Sequence, residues 1–367
     1  MVSHTNESED VGSPKGDTSA TGRRTFLKGG AVATVAGLAG CSSIFGGGST
    51  VTLQVNSPAA EGSVHGDAGE WIGEIVEDET GGDVEIEAFR NSELGGQIES
   101  IEGVSSGSLD MYVIPYALTG TQYQPAQVFD APYLYDPENP YEDIYEKTDP
   151  NNSDVAADVI ENLAEETNIR SIGAVVQGTR RCSLTVDGGE DDYPTNPEEM
   201  SQYLFRAVPI GMYSETLKAL GPETTDIDFS EVPQALSTGS IQGQENPYNI
   251  IRSSSIYENQ SHILETNHMH SPLAIIINEG VWQDELSGSQ RDIFYDAVQE
   301  IQPRATETLN ENLEGHKQFM RDNGLTIVPP EDLEMDAFRS AARSRIREQF
   351  PDLIDTIEGL HGDGYPA

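Results

Sequence analysis

Strand and helix signals that alternate over some 300 residues predict an α/β protein built as two lobes. Three observations carry that expectation. The chain has 367 residues, more than a single hydrophobic core usually serves, so about two domains are expected. From residue 51 onward, short apolar runs alternate with segments whose apolar residues recur every three or four positions. Beyond residue 41 a single cysteine remains, Cys182, so neither a disulfide nor a cysteine metal cluster organises the body. Cys182 itself reads as a small buried hydrophobe.

The elements follow in order. "VTLQVN" alternates as a strand. A helix over about His65 to Glu79 follows, with Trp71, Ile72, Ile75 and Val76 on one face and Gly81 as its stop. "GGDVEIEAF" turns into the next strand and completes a βαβ unit. A second unit adds the helix "QIESIEGVSSG" and the strand "SLDMYVIP". "IRSIGAVVQG" reads as an apolar strand, "YLFRAVP" as another, and "MYSETLKALG" as a helix closed by Gly221 before the strand "ETTDIDF". "SEVPQALSTG" predicts a short helix with Ser230 as its N-cap and Pro233 in the first turn, where a missing N–H is tolerated. "SIQGQ" predicts a strand with Asn246 just beyond it. "SPLAIIINEG" reads as a fully apolar strand of the parallel-sheet type. A helix from about Ser289 to Asn323 and the strand "LTIVPP" complete the pattern, and no internal repeat is present. Ligands of such sheets meet the carboxyl ends of strands, which is where Arg206 and Asn246 fall.

The charge narrows the partners. Sixty-three acidic residues stand against 20 basic ones for a net charge of −43, which repels nucleic acid and anionic membrane surfaces. The acids are interspersed with apolar runs such as "LAIIIN" and "DAFRSAARSRI", so they form a solvated shell on a folded body rather than a disordered chain. Lysine is confined to Lys15, Lys28, Lys147, Lys218 and Lys317. This shell resembles the surfaces of proteins from extreme halophiles, where molar salt screens self-repulsion.

The first forty residues are an address. Arg23 and Arg24, followed by Phe26, Leu27 and Lys28, resemble a twin-arginine export signal, which handles proteins already folded. Leu38, Ala39, Gly40 and Cys41 resemble a lipobox, with Cys41 the lipidated first residue of the mature chain. The apolar stretch "AVATVAGLA" is far short of the ~20 residues of a membrane-spanning helix. Residues 1–40 are then a signal and 41–50 a flexible Ser/Gly tether. The expected location is the extracellular face of the cell membrane, held by the lipid anchor only.

A set of motifs, in order "TGGDVEIEAFRNSELGG", "GSLDM", "GTRRCS", "NPEEMSQYLFRAVP", "LKALG", "DFSEVPQALSTGSIQGQENP" and "TNHMHSP", resembles the dicarboxylate-binding, solute-binding subunits of TRAP transporters. The resemblance runs from about residue 51 to 350. It implies a two-lobed periplasmic-binding-protein-like fold of the type II kind, with two α/β domains joined by hinge strands and a long helix. Lobe I would comprise 51–178 with about 271–305, and lobe II 179–270 with about 306–367. It also implies a protein that is not an enzyme and that passes an organic acid to TRAP membrane permease subunits; no cofactor is expected, and whether a metal ion accompanies the ligand stays open at this point.

By match, Arg206 of "FRAVP" binds the ligand carboxylate, Asn246 of "QGQENP" assists it, Arg180 of "GTRRCS" is a second cationic contact and Phe229 of "DFSEV" an apolar wall. Gln97, Tyr112, Pro115 and Tyr116 fall where members of the family vary with substrate. The chemistry stands without the name, because a planar guanidinium beside a side-chain amide makes a bidentate, charge-assisted clamp for a carboxylate. The chain departs from the usual pattern at Gln242, where an acid is frequent, in "QYLFR", and in the doubling of Arg180 by Arg181. Neighbours on a strand face opposite sides, so only one of the two arginines points inward, and the sequence leaves both in play.

Other chemistries find little support. His262, His268 and His270 invite a metal, yet no acidic residue accompanies them at a usual ligand spacing. Glu231 and Glu245 read as packing or capping partners. "GGQIESIEG" lacks the P-loop lysine, and no nucleophile elbow or Ser/His/Asp pattern is present. The remaining alternatives are the binding component of an extracellular sensor and a secreted hydrolase, the latter without a nucleophile or metal constellation to carry it.

Overall fold

Two long antiparallel strands run through the middle of the protein, and everything else hangs on them. The computed structural model describes residues 50–362 and 365. The expected export signal, the lipidation site Cys41 and nearly all of the tether lie outside the described residues.

The chain begins with β1 (Val51–Asn56), α1 (Val64–Thr80), β2 (Val84–Phe89), α2 (Gln97–Ser106) and β3 (Met111–Pro115). β1 pairs in parallel with both β2 and β3, the βαβ arrangement that the sequence predicts. α1 starts where the Ser63 hydroxyl accepts from the Gly66 N–H, and stops where Gly81 takes a left-handed φ of 63°. α3 (Pro140–Thr148) and α4 (Asp154–Thr167) then lead into β4 (Ile169–Leu184), the first of the long strands. The second lobe follows as α5 (Pro197–Met200), β5 (Leu204–Ala207), α6 (Gly211–Ala219), β6 (Glu223–Asp226), α7 (Val232–Ser237), β7 (Gly243–Asn246) and α8 (Tyr248–Ser253). The chain returns along β8 (His262–Asn278) into the 35-residue helix α9 (Gly288–Asp322), which opens with a capping box between Ser287 and Gln290. β9 (Thr326–Val328), α10 (Met335–Gln349) and α11 (Ile354–His361) complete it.

The strands pair in the order β2-β1-β3-β8-β4-β7-β5-β6, with β9 on β8. Four expectations are corrected by this pairing and capping. "SPLAIIINEG" is not a parallel-type strand, because β8 is antiparallel to both β3 and β4. Its unbroken apolar run reports burial on both faces, which a central antiparallel strand shares with a parallel one. β4 does not end at "VVQG" but continues through "GTRRCS": Gly178, at φ 113°, sits at a register shift that bends the strand without ending its pairing. The turn before α7 is capped by Asp228, whose Oδ1 accepts from the N–H and hydroxyl of Ser230, so Ser230 is the capped residue and not the cap. Asn246 is the last residue of β7 rather than a residue beyond it.

Three apolar cores result. The largest gathers Leu53, Val55, Ile101 and Val113 with Ile275 and Val298. The residues Ile357 and Leu360 of α11 pack in this same core. Two smaller cores flank the second lobe, one around Phe205, Leu217 and Phe338, the other around Val232, Ile251 and Met320. Cys182 is fully buried, as a small hydrophobe should be. Among the described residues no helix is long and apolar enough to cross a membrane.

Candidate ligand-binding site

The carboxyl ends of β3, β5 and β7 converge on a cavity of about 20 Å³, room for roughly one water-sized group. From the first lobe it is walled by Pro58, by His65 in the first turn of α1, by Gln97 at the start of α2 and by Pro115 at the end of β3. Arg206 and Val208, Phe229, Asn246 and Ile250 wall it from the second lobe. Gln177 and Arg180 of β4 form the floor between them.

Arg206 is 2% exposed. Its Nε donates to the Ile227 carbonyl at 2.9 Å, one Nη donates to Gln97 Oε1 at 3.1 Å, and the guanidinium lies 5.8 Å from the centre of the Phe229 ring. Among the described residues no carboxylate forms an ion pair with it. Burial pulls its pKa down to about 10, with Glu245 opposing the shift and Arg180 adding to it. The group therefore stays charged at neutral pH while the protein supplies only neutral partners.

Arg180, equally buried, is in the opposite condition. Its Nε and one Nη grip both oxygens of Glu245, at 2.5 and 2.8 Å, and it also donates to Asn246 Oδ1 and Gln177 Oε1. Burial alone would raise Glu245, but Arg180 and a hydrogen bond from His268 outweigh it and hold Glu245 at about 2. Burial lowers the pKa of His268, so the neutral ring donates from Nε2. The pair is thus a closed unit whose positive charge is already matched. Glu245, read from sequence as a packing or capping partner, is the counter-ion of Arg180.

The structure brings Arg206, Arg180, Asn246, Phe229, Gln97 and Pro115 together at one cavity. Asn246 is held at both ends of its amide, accepting from Arg180 and donating to Gln244. Gln97 reaches across from the first lobe, its N–H bonded to Asp228 Oδ2 at 3.1 Å and its Oε1 to Arg206. Tyr112 and Tyr116 are not at the wall: both are completely buried in the large core, because β3 is covered on both faces and only its last residue, Pro115, emerges at the cleft. The doubled arginine is resolved by the strand. Arg181 points to the other face of β4, stacked 4.5 Å from the Tyr248 ring and 3.5 Å from Glu265, which it shares with Lys317.

Sequence reasoning missed His65 and Gln177. His65 donates from Nε2 to the Val113 carbonyl and accepts at Nδ1 from Gln177, and burial lowers it to about 4, so it is a neutral link in a chain that ends on Arg180. A lone polar residue in the apolar run "IGAVVQG" was the available signal for Gln177, since a buried amide without a partner is costly. The histidines do not gather: His268 pairs with Thr266 and Glu245, His270 with Thr179. Among the described residues no cluster of three metal-ligating side chains occurs.

Comparison with known proteins agrees with this architecture. The chain is 25% identical over 298 residues to the sialic acid-binding periplasmic protein SiaP of Vibrio cholerae, covering 81% of this chain and 88% of that protein. It is 28% identical over 254 residues to the C4-dicarboxylate-binding periplasmic protein DctP of Rhodobacter capsulatus, covering 69% and 72%. Its fold superposes on a TRAP periplasmic solute-binding protein of Roseobacter denitrificans solved with L-galactonate, with a TM-score of 0.74 at 24% identity over 84% of this chain and 98% of the other. Residues 55–352 match the model of the bacterial extracellular solute-binding proteins, family 7, and the chain, two-lobed with its cleft at the strand ends, belongs to that family.

Proposed function

We propose that the protein captures an organic acid through Arg206 for a TRAP-type secondary transporter. The observation that carries this reading is the guanidinium of Arg206, buried and charged with only neutral partners. An uncompensated buried charge is costly, and a bound carboxylate in bidentate contact is the partner that offsets it. The relatives support the class: sialic acid, a C4-dicarboxylate and L-galactonate name the ligands of three of them, and each is a carboxylate. The lobes, taken as 51–178 with about 271–305 and 179–270 with about 306–367, close on the acid by bending of β4 and β8, since closure favours the state with more ligand contacts. TRAP membrane permease subunits receive the acid.

The address belongs to the same reading. Arg23 and Arg24 direct twin-arginine export, Cys41 carries the lipid that keeps the protein at the outer membrane face, and the acidic shell suits a halophilic, haloarchaeal setting.

Small molecules released by denaturation from protein purified at high salt, and identified by mass spectrometry, test the ligand. An organic acid present in stoichiometric amount with the wild type and absent from Arg206→Ala is expected. The same acid retained in full by the variant would refute the clamp.

A further inference from the structure

We infer that the lobes open and close about a fixed joint at the first turn of α6, gripped from the first lobe by Gln127 and Asp130, while the contacts of Gln97 across the cleft part. The inference rests on lobe closure as the movement behind capture and is independent of which acid is held.

α6 starts without a cap of its own, since Ile210 at its N-cap makes no side-chain hydrogen bond to the helix. The acceptor comes from the other lobe, from the 3-10 turn Gln124–Asp130. Gln127 Oε1 accepts from the Met212 N–H at 2.8 Å, at the second helical position, which an N-cap side chain ordinarily serves. One residue on, the Tyr213 hydroxyl donates to Asp130 Oδ1 at 2.7 Å. The Ser271 hydroxyl of β8 donates to that same oxygen at 2.8 Å, and the Ala117 N–H donates to Asp130 Oδ2 at 2.7 Å. One carboxylate thus ties together the first lobe, a crossing strand and the start of a second-lobe helix, whose positive end favours a negative neighbour.

The joint is costly to part. Asp130 and Ser271 are completely buried, and Gln127 and Tyr213 nearly so. Val208, Ile210, Met212 and Tyr213 lie in the large core, whereas Leu217, one turn further along α6, lies in a separate core with Phe205. Separation at this turn would expose the apolar surface and strip the Asp130 carboxylate of its donors. The rim of the cleft is held far more lightly. There Gln97 makes two bonds to the second lobe, its N–H to half-buried Asp228 and its Oε1 to Arg206, both at 3.1 Å, and water entering an open cleft replaces such bonds at small net loss.

The crossing strands bend at the same level. Gly178, at φ 113°, marks the register shift in β4, and its partner on β8 is Ser271. The bend in the strands and the knot that holds α6 therefore share one register position, as a hinge axis requires.

Spin-label distance measurements on the full chain in molar potassium chloride test this, on protein dialysed until mass spectrometry finds no small acid in the denatured sample. Cys41→Ser removes the one other thiol that would react, because Cys182 is fully buried. One label pair, at exposed Gln122 and Lys218, spans the joint, and a second, at exposed Glu99 and Glu231, spans the rim. A joint distance in one narrow peak at its value in the structure, with a rim distance longer by more than about 2 Å, is expected. A joint that lengthens along with the rim would overturn the inference, and so would a rim fixed at its distance in the structure. Gln127→Ala checks the grip itself. It leaves the Met212 N–H without its acceptor, so hydrogen exchange of that amide should accelerate by about tenfold or more, and an unchanged rate in the folded variant would contradict the cap. If that variant fails to fold, the two distances decide alone. Arg206 enters none of these outcomes, so the joint can fail while the clamp stands.

Discussion

Arg206 and Arg180 occupy the same cavity with the same burial, yet one has a carboxylate in both hands and the other has none. Arg180 is engaged by Glu245 and Asn246, and in the proposed reading Arg206 is the group left for the ligand. Arg206→Ala should weaken binding of the co-purifying acid by about a hundredfold or more, ~3 kcal/mol. Arg206→Lys should retain measurable binding, because a point charge keeps the attraction and loses the fork. Asn246→Ala should lose less, on the order of 1.5 kcal/mol, through a looser Arg180. An unliganded buried charge is also a burden on folding, so Arg206→Met should raise the thermal midpoint of the ligand-free protein while destroying binding. A lower midpoint for that variant would mean the guanidinium stabilises the closed fold. Acid has a defined effect too. Burial lowers His65 from 6.5 to about 4 and His270 to about 3, so between pH 6.5 and those values the unfolded chain takes protons that the folded one refuses. Stability should fall as pH drops through that window. Asp130, raised by burial to about 6, acts in the opposite sense, and the two histidines outweigh it. Thermal melts at constant molar salt check this, and a midpoint that climbs on acidification would contradict it. Sequence motifs pointed to Arg206, Asn246, Gln97 and Phe229, which the structure brings to one cavity, and their part in binding is the proposal. They could not tell Arg180 from Arg181, because a bulge between Arg180 and Cys182 interrupts the simple alternation of a strand. Nor could they see that Glu245, one residue before Asn246, would neutralise Arg180.

The elements were legible where local chemistry decides them. Ser63 and Gly81 bracket α1 within one residue of the expected limits, and the helix that fills 289–323 in the sequence pattern is α9. They were less legible where distant pairing decides. Apolar runs in β4 and β8 announce burial but not strand direction, and 16- and 17-residue strands exceed what a local window can join, the more so across the bulge at Gly178. The pairing geometry makes a definite demand at Gly243, the first residue of β7. A Cβ there would lie 2.3–2.7 Å from carbons of the Phe205 ring on β5, far inside contact distance. Gly243→Ala should therefore destabilise the protein by about 1–3 kcal/mol and disturb the Asn246 end of the same short strand. Urea unfolding in molar salt measures the first effect and titration with the co-purifying acid the second. Wild-type values for both would mean that β5 and β7 can separate without consequence.

The proposed clamp would draw an anion to a body carrying a net charge of −43. In the halophilic reading screening would reconcile the two, because at molar salt the Debye length falls to ~3 Å and the acidic shell then repels the ligand and strains the fold far less. The thermal midpoint should rise steadily from dilute buffer to molar salt, and a flat response would remove the halophilic reading. For the address, replacing Arg23 and Arg24 by Lys should block export and Cys41→Ser should release soluble protein into the medium; surface anchoring unchanged in both variants would reject it. The two-lobed architecture was readable from alternation alone, whereas the packing of α11 into the large core was not, because nothing local in "IDTIEGLH" names its partner. What remains is to see the acid in its site. A crystal structure grown in molar salt with the co-purified ligand retained should place a carboxylate against Arg206, with two N–H···O contacts of about 2.7–2.9 Å and the ligand tail against Val208 and Phe229. A ligand found elsewhere, or bound in the cleft with Arg206 turned away from its carboxylate, would contradict the account.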